Sequence, residues 1–394
     1  MNYIEQMVAE LCPNGVEFKT LGEVAEIKRG TPITKDAVTP GQIPVIAGGR
    51  TPAYYHDTHN RTGQTIVIAG SGAYAGYVSW WEQPVFVSDA FSIRPHSVLE
   101  PKYCFYWLNS RQQQLHELKS GGGVPHVYPR DVAPLRIPLP PLPIQQEIVR
   151  VLDLFMALLA NLQAELVARR KQYQYYRDQL LSFEGRKDVR WGTLGEIGNF
   201  IRGSGIQKSD FTDSGSGCIH YGQIHTHYGT WAKEVISFIN PEFAARLRKA
   251  QAGDLVIATT SEDDKAVAKA VAWLGDEAVA VSTDAYIFRH TINPKYVSYF
   301  FQTELFQSQK KPHITGTKVR RISGESLSKI RIPIPSLEVQ EEIVTILDKF
   351  DALVNDLSIG LPAEIAARQK QYEYYRDRLL TFPEAAPTEV AEGL

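Results

Sequence analysis

The chain has 394 residues, of which 43% are apolar and 22% are charged, and its net charge is −2. At roughly 150 residues per domain, this length predicts two or three domains, each with a core of its own. The near-neutral charge excludes a protein whose whole surface is basic, although it permits local basic patches that contact nucleic acid. Three widely spaced cysteines exclude a disulfide scaffold and a cysteine-based zinc module, and they are typical of the cytoplasm. No run of about 18 uncharged apolar residues is present, so we expect no membrane span and no membrane partner.

The first part of the chain, residues 1–141, predicts a domain of the α+β class. It opens with a short amphipathic helix at 1–11, whose apolar face can dock on another helix. Apolar runs at 66–69 and 85–88 predict buried strands, and the segment 102–119 predicts a late helix. Frequent prolines and glycines between these elements predict an irregular sheet.

Residues 142–183 predict a long helix with the seam of a coiled coil. The apolar residues are separated alternately by four and three positions, the pattern of a helix that packs one stripe against a partner helix. No proline or glycine interrupts this seam between Ile148 and Phe183. The seam residues are Leu152, Phe155, Leu159, Leu162, Leu166, Tyr173, Tyr176 and Leu180.

Residues 184–336 predict a second α+β domain. Apolar runs at 255–258 and 279–282 predict buried strands, and the segment 295–309 predicts a late helix. The edges of this block match those of the first, since TLGEI answers TLGEV and TDAYIFR answers SDAFSIR. The sequences between these edges share little, so the two domains are predicted to have similar frames and different surfaces.

Residues 337–382 are a second copy of the coiled-coil segment. Four residues are inserted in this copy, and they bring Gly360 and Pro362, which predict the end of one helix and the start of another. Residues 383–394 are predicted to be a disordered tail. The seam of the second copy consists of Leu347, Phe350, Val354, Leu357, Ile365, Tyr372, Tyr375 and Leu379.

An internal repeat relates the two coiled-coil segments and decides the architecture. The stretch KQYQYYRDQLLSF in the first copy and KQYEYYRDRLLTF in the second are identical at ten of thirteen positions. Upstream of them, QQEIVRVLDLF answers QEEIVTILDKF. A support that is used twice keeps its sequence, whereas two surfaces that read different things diverge. The alternation of variable and near-identical blocks therefore predicts two recognition domains on a common support.

Three motifs have residue types that also occur in cofactor, catalytic or metal sites. The segment VIAGSGAYAG has the glycine spacing of a dinucleotide fingerprint, but the following YVSWW predicts a strand where a fingerprint opens a helix. Asp254, Glu262, Asp263 and Lys265 faintly resemble the acidic cluster of a metal-dependent nuclease, or they form a solvated loop. His220, His225 and His227 are metal ligands or, since aromatic and amide residues separate them, surface contacts. A turn, a solvated loop and contact residues are the favoured interpretations, so we expect neither catalytic residues nor a metal site.

Basic, aromatic and amide side chains cluster in loops of both variable blocks. Lysine and arginine contact phosphates, while arginine, glutamine and histidine also read base edges. Ordinary solvated loops are the alternative for any single residue, but the clusters together favour DNA. The densest stretch, 310–331, holds eight basic residues and histidines and a single acid, Glu325. The candidate DNA-binding residues are Lys28, Arg29, Lys35, Arg50, Tyr54, Tyr55, Arg61, Tyr74, His126, Arg130, Arg202, Lys208, His220, Gln223, His225, Lys310, Lys311, His313, Lys318, Arg320 and Arg321.

Two variable blocks, each followed by a coil copy that ends in KQYQYYRDQLL or KQYEYYRDRLL, resemble the specificity subunit of type I restriction–modification systems. The segments ELCPNGVEFKTLGEV and IPLPPLPIQQEIV are similar to boundary segments of that family. The resemblance implies an α+β protein with two mixed α/β target recognition domains, separated by two long helical segments that pack as an antiparallel coiled coil. Each domain would read one half of a bipartite DNA site, and the coils would fix the distance between the halves.

The same resemblance implies the partners. They are double-stranded DNA, two modification subunits that methylate adenine, and restriction subunits that complete a nuclease. S-adenosylmethionine would be bound by the modification subunit, and this chain would hold no cofactor and catalyse nothing. Two other classes of function remain open at this point. One is a coiled-coil scaffold that joins partner proteins without reading DNA, and the other is a self-contained methyltransferase or nuclease.

Overall fold

The computed structural model describes residues 2–121 and 123–386. These residues form two compact units. The first unit takes its residues from Met1–Gln163 and Ile365–Leu394, and the second from Ala164–Glu364. Each unit therefore combines one variable block with a part of the first coil copy and a part of the second.

The helices differ greatly in length, and the longest connects the two variable blocks. In chain order they are α1 (Asn2–Leu11), α2 (Leu21–Val24), α3 (Pro101–Ser110), α4 (Gln112–Glu117), α5 (Pro129–Val132), α6 (Leu142–Ser182), α7 (Leu194–Ile197), α8 (Tyr221–Thr226), α9 (Pro241–Ala244), α10 (Pro294–Phe300), α11 (Glu304–Lys310), α12 (Gly324–Ser328), α13 (Leu337–Asn355) and α14 (Leu361–Leu379). Short 3-10 turns occur at Lys35–Ala37, Lys208–Asp210 and Lys311–His313.

The strands are short, as the frequent prolines and glycines predict. In the first unit they are β1 (Glu17–Thr20), β2 (Ala25–Arg29), β3 (Pro40–Ile46), β4 (Tyr54–His56), β5 (Thr65–Ala69), β6 (Val78–Trp81), β7 (Phe86–Val87), β8 (Ala90–Pro95) and β9 (Arg136–Leu139). In the second unit they are β10 (Arg190–Thr193), β11 (Gly198–Arg202), β12 (Phe211–Thr212), β13 (Ser216–Ile219), β14 (Trp231–Ala232), β15 (Ser237–Ile239), β16 (Lys249–Ala250), β17 (Leu255–Ala258), β18 (Thr260–Ser261), β19 (Ala270–Trp273), β20 (Val279–Val281), β21 (Ala285–His290), β22 (Arg320–Arg321) and β23 (Arg331–Ile334).

The first unit is built on an antiparallel sheet with the strand order β2-β8-β5-β6. Strand β5 lies in its interior and is buried along its whole length. Ile66 and Ile68 point into the main core beside the buried Trp107, whereas Val67 points to a smaller core on the opposite face. A strand that is covered on both faces needs an unbroken apolar run, which explains the sequence TIVIA.

The second unit repeats this arrangement with the strand order β11-β21-β17-β19-β14. Strand β17 occupies the place of β5, with Leu255 and Ile257 in one core and Val256 and Ala258 in another. A second sheet, with the order β12-β15-β13-β20-β16, extends this unit. The mixed α/β architecture that the sequence predicts is therefore confirmed in both units.

Helix α6 packs against a different helix in each unit, and the aromatic contacts are equivalent. In the first unit, the ring of Phe155 lies 5.6 Å from Tyr375 and 6.4 Å from Tyr372. In the second, Phe350 of α13 lies 5.6 Å from Tyr176 and 6.4 Å from Tyr173.

Hydrogen bonds in the second unit fix the direction of this packing. The Nη2 atom of Arg170 donates to the carbonyl oxygen of Val354 over 3.4 Å, whereas Tyr176, six residues later on α6, contacts Phe350, four residues earlier on α13. Residue numbers on α6 thus fall as those on α13 rise, so the two helices are antiparallel.

The predicted seam is correct for most residues, with two corrections. Leu357 is 83% exposed because it lies in the turn between α13 and α14, where the inserted residues end the helix. Tyr176 is 42% exposed although its ring contacts Phe350. The buried seam residues are Leu152, Leu159, Tyr173, Leu347, Val354, Tyr372 and Leu379, and the half-buried ones are Phe155, Leu162, Leu166, Leu180, Phe350, Ile365 and Tyr375.

Gly360 ends the turn between α13 and α14, as predicted from the sequence. A Cβ atom at this position would collide with carbonyl oxygens of Ala352, Leu353 and Asp356, so only glycine fits. The carboxylate of Asp356 accepts a hydrogen bond from the backbone N–H of Ser358 over 2.7 Å and so closes the turn.

Two predicted elements need correction. The late helices at 102–119 and 295–309 are each divided into two shorter helices; in the second, the hydroxyl of Thr303 caps α11 by accepting from the N–H of Phe306. The tail is not disordered from residue 383 onwards, since the backbone N–H of Val16 donates to Pro383 over 2.9 Å and Ala385 donates back over 2.9 Å. Residues 387–394 of the predicted tail, and residue 1 of the predicted N-terminal helix, lie outside the described residues.

By length and composition alone, α6 is a helix in the described part of the chain that could cross a membrane. Its contacts are those of a helix packed in a folded domain. Ile148 and Leu152 lie in the main core of the first unit, and the carboxylate of Asp153 accepts hydrogen bonds from Lys102 over 2.9 Å and Tyr106 over 2.6 Å.

A buried glutamine joins the start of each coil helix to the domain beside it. In the first unit, Gln145 donates to the carbonyl oxygens of Pro140 over 2.8 Å and Val98 over 3.1 Å, and accepts from the N–H of Glu100 over 2.8 Å. One fully buried side chain thus satisfies three backbone groups, which would otherwise lose water without gaining a partner.

The second unit has the same device at the first turn of α13. Gln340 is 1% exposed, donates to Pro335 over 2.9 Å and accepts from the N–H of Asn293 over 2.9 Å. The repeat therefore preserves a buried polar connection as well as an apolar seam.

We predict that Gln145→Leu destabilises the first unit by about 1–3 kcal/mol, because it removes the partners of three backbone groups. Urea unfolding combined with hydrogen exchange measures the loss and locates it in 98–110. The exposed neighbour provides a matched control, Gln146→Leu, which should leave both measurements near those of the parent protein. Equal stability of the two variants would contradict this role of the buried glutamine.

Candidate nucleic-acid interface

Both units form the same backbone junction at the end of their first sheet strand. Gly30 donates its N–H to Ala90 over 2.9 Å, and Gly203 donates to Ala285 over 2.9 Å. A Cβ atom at either glycine would collide with backbone oxygen atoms of the segment that lies beside it, so the close approach of the two segments requires glycine. The junction positions the preceding arginine, Arg29 or Arg202, at the edge of the sheet.

A later loop of each unit joins this junction. Val127 donates its N–H to Gly70 over 3.0 Å, and Ile322 donates to Thr259 over 3.2 Å. The residues before them, His126 and Arg321, pair with the strand ends at 71 and 260. In each unit, candidate residues that are far apart in the sequence therefore lie together at this junction.

The cluster in the first unit is a column of rings and cations. The ring of His126 stacks on Tyr128 with centroids 5.7 Å apart and planes inclined by 13°. The guanidinium of Arg130 lies 4.9 Å from the centre of the Tyr128 ring, and that of Arg29 lies 5.8 Å from it. A cavity of about 190 Å³ beside the column is lined by residues that include Arg29, His126 and Asp89.

Arg50 and Tyr74 lie next to this cluster. The guanidinium of Arg50 is 4.7 Å from the centre of the Tyr74 ring, and both side chains are exposed. A Cβ atom on Gly48 would collide with the carbonyl oxygen of Ser71, so the Arg50 loop approaches the strand end that pairs with His126. Tyr55 on β4 is also exposed, at 56%.

Arg61 has a structural part in this unit, and whether it also contacts DNA stays a prediction. Its guanidinium donates to Ser92 Oγ over 2.7 Å and to the carbonyl oxygens of Asn60 over 2.8 Å and Arg29 over 2.9 Å. Partial burial lowers the pKa of this side chain. Lys28 lies beside it on the wall of an open cavity of about 400 Å³.

Arginines dominate the cluster in the second unit. Arg202 donates to the carbonyl oxygen of Thr283 over 3.2 Å, and Arg320 forms an ion pair with Asp264 at 2.9 Å. Arg321 pairs through its backbone with Thr260, while its side chain is exposed. The carbonyl oxygen of Thr260 also accepts from Nε2 of His225 over 2.9 Å, so His225 belongs to the same place.

Three candidates in the second unit are structural. His220 is 7% exposed, caps α8 through its Nδ1 atom, and has a pKa lowered by burial. Gln223 donates to Ser237 Oγ over 2.6 Å and accepts from the N–H of His220 over 3.0 Å. Lys310 is 1% exposed and donates to two backbone carbonyl groups, so its ammonium group is bound inside the unit and is not displayed at the surface.

The remaining candidates lie on the surface with weaker ties to these clusters. Those with exposed side chains are Lys35, Lys208, Lys311 and Lys318, and those that are half-buried are Tyr54 and His313. Lys35, Lys208, Lys311 and His313 lie in the 3-10 turns, and Lys318 lies in the loop before β22. Whether they contact DNA stays a prediction.

Both catalytic interpretations of the sequence motifs are contradicted. The glycine-rich segment forms a turn that leads into strand β6, so no helix begins there. Asp254 is 4% exposed and accepts from Arg289 over 2.8 Å, which makes it a structural anion. Within the described ranges, no three His, Cys, Asp or Glu side chains are grouped so as to hold a metal ion.

Sequence reasoning missed Asp264, and it did not include Tyr128 among the candidate DNA-binding residues, although Tyr128 lies in the basic and aromatic segment with His126 and Arg130. Tyr128 is the ring on which two arginines and a histidine converge. Glu325 is the acid that the sequence predicts near the arginines of the second unit. The structure instead pairs Glu325 with Lys329 over 2.8 Å and leaves Arg320 to Asp264.

The whole chain is similar to known proteins of one family. The family model described as type I restriction modification DNA specificity domain matches residues 13–168 and 187–367. The specificity subunit of the EcoR124I/EcoR124II type I restriction enzyme of Escherichia coli is 32% identical, over 97% of this chain and 98% of that protein. A putative type I restriction enzyme specificity subunit of Haemophilus influenzae is 27% identical, over 93% of this chain and 96% of that protein.

Solved structures share the fold. The S subunit of a type I restriction–modification system of M. genitalium has a TM-score of 0.57 at 17% identity, over 93% of this chain and 96% of that chain. A chain from a study of complex assembly and conformational transition of the type I system has a TM-score of 0.59 at 19% identity, over 93% of this chain and 98% of that chain. The protein therefore belongs to the family of DNA specificity subunits of type I restriction–modification systems, whose members recognise DNA and are not catalytic.

Proposed function

We propose that each unit reads one half of a bipartite DNA site through its loop cluster. The observation that carries the proposal is the shared backbone junction at Gly30 and Gly203, on which the two units display different side chains. Because the backbone of the junction is the same in both units, the side chains around it occupy equivalent positions. The chemistry of those side chains would decide which bases each unit favours. Arg29, His126 and Arg130 would act in the first unit, and Arg202, Arg320 and Arg321 in the second.

We propose that the coil helices dock two modification subunits, one on each unit. Large apolar side chains are exposed on these helices, and Tyr175 and Tyr374 hold equivalent places in the repeat with exposures of 61% and 60%. Equivalent surfaces bind equivalent partners, so two copies of one subunit are expected. The modification subunits would bind S-adenosylmethionine and methylate adenine, restriction subunits would complete the nuclease, and the assembly would work in the cytoplasm.

The first test exchanges one recognition block. Replacing residues 189–336 with the matching block of a relative, in cells that co-express the modification subunit, should change one half of the methylated motif. Mapping of methylated adenines across the genome gives the result. The purified chain alone, incubated with labelled S-adenosylmethionine, should transfer no methyl group. A change in both half-sites, or methyl transfer by the chain alone, would contradict the proposal.

The second test changes the length of α6 where the two units divide along the chain, after Gln163. Duplicating Gln163–Leu166 adds about 6 Å of helix and turns it about 40° beyond one full turn. At about 3.4 Å per base pair, both half-sites should persist with a gap longer by roughly one or two base pairs. A two-residue insertion turns the apolar stripe by about 200° and should abolish assembly. An unchanged gap in the four-residue variant would show that the coil does not set it.

The third test concerns the docking of modification subunits. Tyr175→Ser and Tyr374→Ser should each lower the number of bound modification subunits from two to one, and the double variant should bind none. Native mass spectrometry counts the subunits, and Gln174→Ser provides an exposed control on the same helix. Retention of both subunits in the double variant would exclude this surface. Absence of salt-sensitive binding to random DNA would instead favour a scaffold without DNA reading.

A further inference from the structure

Arg320 and Arg321 lie side by side but in different surroundings. They form strand β22, which pairs antiparallel with β18, so their side chains point to opposite faces. Arg321 is exposed, whereas Arg320 is half-buried. The Nη1 atom of Arg320 donates to the carbonyl oxygen of Gly316 over 2.6 Å, which draws its guanidinium against the hairpin that Thr315 closes with Arg321.

The carboxylate of Asp264 holds the other side of the Arg320 guanidinium. Its Oδ1 atom lies 2.9 Å from Nε of Arg320. This oxygen is buried and accepts no hydrogen bond within the described residues, so its contact with Arg320 is an ion pair; the Asp264 side chain as a whole is 48% exposed. A buried carboxylate oxygen that loses its cation pays a desolvation penalty, so the ion pair restrains the arginine before DNA arrives.

A buried lysine holds the loop that carries Asp264. The buried Nζ atom of Lys310 donates to the carbonyl oxygens of Lys265 over 3.0 Å and Val267 over 2.7 Å. Burial lowers the pKa of this lysine to about 8. Asp264 therefore holds Arg320 from a loop whose following segment is anchored at the carbonyl groups of Lys265 and Val267.

The first unit has the anchor without the carboxylate. Lys119 donates from Nζ to the carbonyl oxygen of Ala73 over 2.9 Å and so holds the corresponding loop. That loop has the sequence SGAYAG and contains no acid, whereas its counterpart reads SEDDKAVA. A carboxylate at this loop is thus present in the second unit and absent from the first.

We propose that Asp264 is a positioning residue that sets the base preference of the second unit through Arg320. The inference rests on the proposed function, in which the second unit reads a half-site. With Nε beside Asp264 and one N–H on Gly316, Arg320 keeps N–H groups for the two acceptors of a guanine edge. The nearby negative charge opposes contact with phosphates, so selectivity is gained at a cost in overall affinity.

The test compares two charge removals in the same loop. Asp264→Ala and Glu262→Ala each remove one negative charge near the arginines, and Glu262 is exposed. Both should raise the affinity for random DNA by a similar factor and alter its salt dependence alike. Asp264→Ala alone should also lower discrimination at one base pair of the second half-site by roughly 5- to 150-fold, the loss of a bidentate contact.

A third variant separates the effect of the guanidinium geometry from the effect of the positive charge. Arg320→Lys keeps the charge and loses the planar fork, so it should relax the same base pair with little change in salt dependence. The assembled complex with its modification subunit is used throughout. Competition binding with single-base variants of the motif and methylome mapping provide the measurements, and the first half-site serves as the internal reference.

The outcomes are distinguishable. Identical discrimination in Asp264→Ala and Glu262→Ala, with the wild-type motif bipartite, would overturn the positioning role and leave the proposed function intact. Relaxation of both half-sites by Asp264→Ala would also overturn it, because a global loss of fold or assembly produces that pattern. A wild-type complex that methylates no bipartite motif would overturn the proposed function itself.

Discussion

In each unit, an aspartate on a coil helix accepts hydrogen bonds from a lysine and a tyrosine of the late domain helix. Asp348 accepts from Lys295 over 2.6 Å and from Tyr299 over 2.7 Å, and Asp153 has the equivalent partners in the first unit. Apolar packing alone tolerates sliding of one helix along another, whereas a partly buried charge with two donors has one favourable arrangement. Together with the buried glutamines, this contact fixes the orientation of each domain on its coil helix, and the position of the recognition loops depends on it.

Because these contacts hold the domain on its coil helix, residues on the domain surface can be substituted without a change in the orientation of the domain. The sheets of both units place the same junctions at the same strand ends, and the segments between the junctions carry different residues. This explains why the repeat is near-identical in the helices and weak in the variable blocks. The side chains that hold the domain, such as Gln145 and Tyr106, have equivalents in the second unit, namely Gln340 and Tyr299. The loop clusters share an arginine, Arg29 or Arg202, and otherwise carry different side chains.

The sequence predicted the elements whose signal is periodic or unbroken. The seam of α6 and the interior strands β5 and β17 follow from apolar spacing, and Gly360 and Pro362 located the helix break. The misplaced seam residue Leu357 has the correct spacing, but the inserted turn removes it from the helix, and spacing carries no information on that. The division of each coil copy between two units also has no local signal, because it depends on contacts between segments that are about 200 residues apart.

The candidate interface was predicted by residue type, and residue type does not determine burial. Lys310 and His220 have the chemistry of DNA contacts, yet both are spent on backbone groups inside the second unit. Asp264 could not be recognised from the sequence as a partner of Arg320, because the two residues are 56 positions apart and the pairing of β18 with β22 brings them together.

The two clusters also restrain their arginines by different physical means. In the first unit, the ring of Tyr128 attracts Arg29 and Arg130 through its π face, and the carboxylate of Asp131 also lies 3.7 Å from Arg130. In the second, the carboxylate of Asp264 neutralises part of the charge of Arg320. A ring leaves the full charge of an arginine such as Arg29 available to phosphates, whereas a carboxylate reduces that attraction. On the proposal that Asp264 positions Arg320, binding by the second unit would therefore depend more on the base edge at that arginine.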